Sequence, residues 1–448
     1  MKNTLTICSV FVFVIFMILP AYAIEHQLGG FVRVRAFTAG DWSANDNDSG
    51  GNRSRADSRS HLAYTAKIHE DFAVYTEFRF DSVFGSKGSG QAGVTPATLK
   101  LKLSYMDFNI NETNFKIGKQ SFFDARGLLS NDAAPGIAIN CPLSDQFTLN
   151  AKWIKYGEGG ISDEDNNRPE MAKYSHQDLD TFALTPEIKL NDNIKIKPYF
   201  WYVTSRGVDN SETSWYLQYA VINSFTDLDM YYLGFDFDAS MGNTSIWFTT
   251  LYQAGSANVS ENNAQQWNGA GSVDFGGIAA LGGGSINLGK ITLSGQLFYA
   301  SGDDPKENDD KIDQFFSAEA GYYYWSEIMG LGSNDDDVPH NIGWSLSNIM
   351  GGGGTAAFCA TDDMTVTFGL WYAAAVEDFQ GTNGIVEAAD YGTEVNAMLD
   401  YNLMDNLSLS LIGAYVMAGD AMTEESVQGS NIEGADPYFM QAQIKASF

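Results

Sequence analysis

Long apolar runs are almost missing from these 448 residues. Apart from residues 7–19, no segment approaches the roughly 18 consecutive apolar residues that a membrane-spanning helix requires, so helical spans are excluded. Cysteine is scarce: three in all, with Cys8 inside that early run and only Cys141 and Cys359 beyond it. Two thiols so far apart read as incidental rather than as a disulfide framework. No C-x-x-C, H-E-x-x-H or Walker-type loop occurs, so no cofactor or metal site is expected. Basic residues are few, 26 Lys and Arg against 56 Asp and Glu, and a net charge of −30 repels phosphate and excludes nucleic acid as a partner. Disorder is excluded in turn, because 44% apolar and 13% aromatic residues are far more than a disordered chain carries.

What is present starts with the N-terminus. Lys2 precedes the apolar run of residues 7–19, Pro20 ends it, and Ala21-Tyr22-Ala23 follows. That order gives the charged region, apolar region and small-residue cleavage site of a secretory signal peptide. Residues 1–23 are therefore expected to be removed, leaving 24–448 as a single domain.

In that domain, strand-like segments alternate with two kinds of connection. Short turns fall at 70–71, 111–113, 142–145, 191–193, 241–243, 289–290, 362–363 and 405–406; long connections include 39–58, 85–96, 121–134, 157–176, 302–347 and 419–435. Eight hairpins, a first strand over 29–38 and a closing strand over 436–448 make 18, with 16 as the alternative. An even number of antiparallel strands, short turns at one end and long loops at the other, is the pattern of a transmembrane β-barrel. Tyr438, Met440, Ala442, Ile444, Ala446 and Phe448 alternate with mostly polar residues, and the last strand ends on an aromatic residue. The expected fold is thus all-β, an antiparallel barrel in a bacterial outer membrane, with lipid around it and short periplasmic turns below.

The faces alternate as such a barrel needs, apolar towards lipid and polar towards a water-filled lumen. In the second strand Leu62, Tyr64, Ala66 and Ile68 oppose Arg59, His61, Thr65 and Lys67. In the fourth, Leu99, Leu101, Leu103 and Tyr105 are expected outside, with Lys100, Lys102 and Ser104 inside.

Charge is uneven along the chain. Residues 24–126 hold 13 basic and 12 acidic side chains, residues 127–448 hold 12 and 44, and none is basic from 312 to 444. Arg33, Arg35, Arg59, Lys67, Arg79, Lys100, Lys102 and Lys116 share the lumen-facing parity and are expected to form a basic wall. The connection 121–134 carries Asp124, Arg126 and Asp132, and one reading folds it inward as a constriction whose carboxylates face that wall. The other reading lets these charges, with Glu77 and Asp81, pair among themselves and solvate the lumen.

Two further chemistries receive little support. Asp46-Asn47-Asp48-Ser49-Gly50-Gly51 resembles the start of a calcium loop, but Gly50 lacks a ligand and Asp57 stands where a Glu is required. The paired acids Asp303-Asp304 and Asp335-Asp336-Asp337 read as solvated loop charge. His26, His61, His69, His176 and His340 lie in no recognisable nucleophile context, so an enzyme is not expected.

Several short motifs carry a family likeness. They are Tyr299-Ala300-Ser301-Gly302-Asp303-Asp304, Tyr323-Tyr324-Trp325-Ser326-Glu327-Ile328-Met329-Gly330, Gly118-Lys119-Gln120 and Gly392-Thr393-Glu394-Val395-Asn396. Together they resemble bacterial outer-membrane porins, near the trimeric porins of sulfate-reducing bacteria and more distantly the alginate-export channels. The resemblance implies a 16- or 18-stranded channel, often a homotrimer, that passes small hydrophilic solutes and ions by passive diffusion. Alginate-export channels use a lumen rich in Arg and Lys, whereas here basic residues lie on one wall. The competing class is a structural or partner-binding barrel, a sheath around a periplasmic partner or an adhesin; a sheath needs a wide lumen without an inward loop.

Overall fold

The computed structural model describes residues 24–42, 44, 52–85, 98–157, 178–205, 225–259, 271–306, 310–318, 323–332, 346–381, 384–387, 389–423 and 434–448. The expected signal peptide, the calcium-loop-like stretch 46–51, the acidic run 335–337, His176 and His340 lie outside the described residues.

Eighteen antiparallel staves close on themselves. The first seven are β1 (Glu25–Gly40), β2 (Arg53–His69), β3 (Phe72–Val83), β4 (Thr98–Ile110), β5 (Thr113–Asp124), β6 (Ser130–Ser144) and β7 (Phe147–Gly157). The eighth, β8, is one stave in two pieces, Leu179–Leu184 and Glu187–Asn191, both paired with β7 and β9. Then come β9 (Ile194–Ser205), β10 (Phe225–Met241), β11 (Thr244–Val259), β12 (Ser272–Asn287) and β13 (Ile291–Ala300). The last five are β14 (Ile349–Thr361), β15 (Met364–Ala374), β16 (Asp390–Met404), β17 (Leu407–Ala418) and β18 (Tyr438–Ser447). Each pairs with the next, and β18 returns to β1 over Phe31↔Ser447 to Gly40↔Tyr438. At this seam Gly30 and Phe448 exchange two backbone hydrogen bonds of 3.0 Å each. Closure removes the free sheet edge that hydrocarbon does not tolerate. Gly30 has φ +154, and a Cβ there would lie 2.1 Å from the His61 carbonyl oxygen, so only glycine fits.

The sequence places 18 strands with turns at the right junctions, and three details differ. The stretch 177–190 is broken at Thr185-Pro186, because proline cannot donate to a ladder. The connection 121–134 is mostly strand: β5 continues to Asp124, β6 begins at Ser130, and a single 3₁₀ turn, Ala125–Gly127, joins them with Leu128 and Leu129. The third difference is in β4. Its pairing with β3 shifts between Glu77↔Leu103 and Phe78↔Leu101, leaving Lys102 as a bulged residue. One extra residue inverts the alternation below it. Leu103 and Tyr105 consequently share the inner face with Glu77 and Tyr75, and Ser104 lies on the outer face with Thr76.

Outside, exposed Val32, Leu62, Phe80, Leu233, Leu297, Leu370 and Ile444 form an apolar surface. Rings cluster near its edges: Phe72, Phe108 and Phe115 lie beside the short turns, and Phe182, Tyr202 and Tyr231 stack towards the long loops. Two aromatic girdles around an apolar band are what a membrane with polar interfaces selects. No helix is long and apolar enough to cross a membrane, among the described residues. Cys141 and Cys359 are free.

Candidate functional site: a charged and partly filled lumen

The N-terminal strands bring four of the expected basic residues together. Arg33 pairs in register with Arg59, Arg59 with Asp81, and Arg35 with Asp57. They line, with Arg55 and Arg79, an open pocket of about 240 Å³. Asp57 accepts from Arg35 and Arg55 at 3.0 Å each and lies 3.7 Å from Arg33. Asp81 accepts from Arg59 at 2.8 Å and from Arg79 at 2.6 Å. Guanidinium forks hold carboxylates in fixed geometry, which makes the wall rigid. Five arginines against two aspartates still leave the pocket positive. Arg35 is 1% exposed and braced by Phe37, so it supports the wall from behind. Asp57, the last position of the calcium-like spacing, belongs to this ion-pair cluster within β2.

The remaining predicted cations are more dispersed. Lys100 stands beside Arg79 in register. Lys102, on the bulge, binds Asp132 at 3.2 Å. Lys116 pairs with Asp107 at 3.4 Å and lies over Tyr105, while Lys67 is exposed next to the turn at 70–71. Below the arginines, His61 stacks on Phe31 and bonds Glu77 at 2.6 Å, and Lys445 covers the other ring contact at Phe31, 4.5 Å from its centroid.

The turn after β5 reaches into the lumen, but not towards that wall. Asp124 is fully buried and binds Lys152 of β7 and, at 2.6 Å, Lys197 of β9. Arg126 crosses to Asp238 at 2.5 Å and to Thr249 at 3.0 Å, with its guanidinium 4.4 Å from the Trp247 ring centroid. Ala125 and Arg126 take left-handed backbone angles, φ 48 and 56, which turn the chain inward. Asp132 alone of the three meets a residue of the predicted wall. The reason is height and direction: the turn is too short to swing back and docks on the strands it leans over. Lys152, Lys197, Asp236, Asp238 and Thr249 escaped the sequence reading, although each has the inner parity of its strand.

A second inward element comes from the connection between β13 and β14. Ser301 accepts from Ile278 N–H and donates to the Asp313 carbonyl, and Asp303 accepts from Asp313 N–H at 2.9 Å, folding the chain back at its first step. Phe315, Phe316 and Ala318 are buried, and Phe316 N–H donates to Gln253 of β11 at 2.7 Å. The Ser317 hydroxyl donates to the Leu128 carbonyl, tying the two inward elements together. Trp325 lies 4.7 Å from Phe298 and 6.1 Å from Trp371 between ring centroids. A Cβ at Gly353 would fall 2.4 Å from the Trp371 ring, so that glycine is what lets the indole lie on the wall. Glu394, fully buried on β16, accepts from the backbone N–H groups of Glu327, Ile328 and Met329 at 2.8, 3.1 and 2.9 Å. Burial holds the Tyr323 phenol well above its ordinary pKa, and its hydroxyl bonds Gln296 at 2.8 Å.

Known structures share this architecture. The outer membrane protein opdK of Pseudomonas aeruginosa matches with TM-score 0.58 over 95% of this chain and 98% of its own, at 10% identity. A BenF-like porin from Pseudomonas fluorescens matches at 0.57 over 96% and 100%, with 12% identity. OccK2 (OpdF) of Pseudomonas aeruginosa, solved in complex with glucuronate, matches at 0.56 over 94% and 98%, with 13% identity. At such identity the likeness establishes the fold. No protein-family model and no curated protein matches the chain.

Proposed function

We propose that this chain is a porin of a bacterial outer membrane, through which small hydrophilic solutes and ions diffuse passively. The observation that carries it is a closed barrel of 18 staves, apolar outside, whose inner wall holds an arginine pocket beside inward-folded segments. A water-filled path past fixed charges selects by size and sign. The arginine pocket favours anions, and the Asp124–Lys152–Lys197 cluster with Arg126 forms the narrowing on the side of β7 to β11. The proteins of similar fold include several named as porins, one of them solved with glucuronate, which supports the same reading. The inward packing of Phe315, Trp325 and Met329 speaks against a sheath, since a barrel enclosing a protein partner needs that space. Nothing in this function requires catalysis or a cofactor. The finer resemblance, near the trimeric porins of sulfate-reducing bacteria and more distantly the alginate-export channels, rests only on the short motifs at Gly118, Tyr299, Tyr323 and Gly392.

Planar-bilayer recording of the purified protein tests the proposal. Stable ohmic steps are expected, and reversal in a salt gradient should indicate a preference for anions. A bilayer that stays silent with folded, heat-modifiable protein present would return the barrel to the adhesin class.

A further inference from the structure

Far from the arginines, one stretch of the inner wall is lined without charge. Across β11 to β15 the hydrogen-bond register sets two rows of lumenal residues one above the other. The row nearer the long loops runs Trp247, Gly283, Gln296, Gly353 and Trp371, one residue from each stave. The row nearer the short turns runs Ser245, Ser285, Ser294 and Thr355. The side chains of both rows line an open pocket of about 240 Å³. In register the upper row continues to Asp238 at one end and Glu394 at the other. Both carboxylates are already engaged, Asp238 by Arg126 and Glu394 by three backbone amides.

Glycine seats each indole against the wall. A Cβ at Gly283 would fall 2.6 Å from the Trp247 ring, much as one at Gly353 would strike Trp371. The two rings therefore lie over β12 and β14, two staves or about 10 Å apart, with Gln296 between them. Indole surface turned towards water costs about 25 cal/mol per Å², so a wall that only holds water has no use for it. The hydroxyls below follow one another at steps of about 4.8 Å, and each rotates to donate or accept. Ser245 and Ser285 share one hydrogen bond of 2.8 Å, while Ser294 and Thr355 have no side-chain partner among the described residues. Gln296 accepts from the Tyr323 hydroxyl, which leaves its amide N–H groups to donate. Trp371 is 7% exposed, and its indole N–H has no acceptor among the described residues. Buried donors without an acceptor are rare and cost about 1–3 kcal/mol each.

Resting on the porin reading, we infer that this pocket is a second solute site, for an uncharged, polyhydroxylated ring of monosaccharide size. The C–H edges of such a ring lie against Trp247 and Trp371, and its hydroxyls bond Gln296, Ser294 and Thr355. The volume is below the roughly 300 Å³ at which sites for drug-sized ligands begin, so one ring is held and not an oligomer. The arginine pocket belongs to β1 to β3, this one to β11 to β15. Selection by charge and retention of a neutral solute are thus carried by separate walls of one lumen.

The experiment uses the full chain, extracted in a zwitterionic detergent whose head carries no sugar and checked for heat-modifiable mobility. D-glucose should change the tryptophan emission along a saturation curve, whereas triethylene glycol, neutral but without a ring, should not. The half-saturating concentration should rise at least tenfold in Ser294→Ala with Thr355→Val, and severalfold in Gln296→Leu alone. It should stay constant between about 0.1 M and 1 M KCl, although the screening length falls from about 10 Å to 3 Å. The inference is overturned if glucose gives no saturation, or if both variants titrate as the parent does. A half-saturating concentration that climbs with salt overturns it too, because charge would then hold the sugar. Glucose that titrates a barrel silent in planar bilayers would instead overturn the porin reading and leave the site standing. Ohmic steps without any saturable response to glucose would do the reverse.

Discussion

The guanidinium carbon of Arg126 stands 4.4 Å from the centroid of Trp247, and the same group binds the Asp238 carboxylate. These contacts fasten the turn after β5 to β10 and β11, five and six staves away, where the proposed narrowing lies. Arg126→Ala removes a cation–π contact of about 0.5–2 kcal/mol and a charge-assisted hydrogen bond of about 1.5–3 kcal/mol. The staves do not depend on it, so the barrel should assemble normally. Single-channel steps should become larger and noisier. Steps of unchanged size and noise would show that this turn does not limit the current.

Glu394 fastens the other inward element through three consecutive amides. Asn396 donates to the same carboxylate at 2.9 Å and keeps it oriented. In Glu394→Ala each orphaned N–H costs about 1–3 kcal/mol, so with three of them orphaned local opening becomes at least roughly a hundredfold more frequent. Hydrogen exchange at residues 327–329 and chymotryptic cleavage after Tyr323 or Trp325 should both accelerate, and more in Ala than in Gln. Exchange in β16 itself should change little. Equal acceleration throughout the barrel would mean that Glu394 supports the staves and not the loop.

Much of the barrel is readable from local rules. Turn residues such as Asp362-Asp363 and Asp405-Asn406 punctuate segments of period two, and a terminal strand ending at Phe448 supplies the seam. The inward segments are not readable in that way. Whether residues 315–317 lie outside or pack against Gln253 depends on partners far away in sequence, such as Leu128 and Ser347. The same holds for Asp124: its charge is plain, but its lysine partners lie on β7 and β9. Inner parity marks Lys152 and Lys197 as lumenal; only the fold brings them to one carboxylate.

The arginine pocket should set the sign of selectivity. Arg33, Arg59 and Arg79 line it with partly exposed side chains, while Arg35, also in the lining, is buried and is left intact in the variant. Replacing those three by Gln leaves Asp57 and Asp81 with fewer cations around them. In a KCl gradient the reversal potential should move towards that of potassium. The shift should shrink at 1 M salt, where the screening length is about 3 Å. A reversal potential that does not move at low salt would sink the basic-wall reading.

The bulge at Lys102 gives the sharpest assembly test, because it is where alternation read from sequence goes wrong. Above it Leu99 and Leu101 face outward, and below it Met106 does, while Tyr105 stacks on Tyr75 within the lumen at 5.1 Å between centroids. A strand with strict period two cannot satisfy both halves unless one residue is set aside. Deleting Lys102 removes that residue and restores strict alternation, so every other side chain of β4 keeps its face. The variant should therefore insert and show the normal heat-modifiable mobility, losing only the 3.2 Å ion pair with Asp132. Deleting Ile117 from β5, whose register with β4 and β6 is unbroken, has the opposite effect. It would turn either Phe115 or Phe123 into the lumen and a polar neighbour towards lipid, and assembly should fail. If both deletions assemble equally well, the register shift in β4 is not what sets its faces.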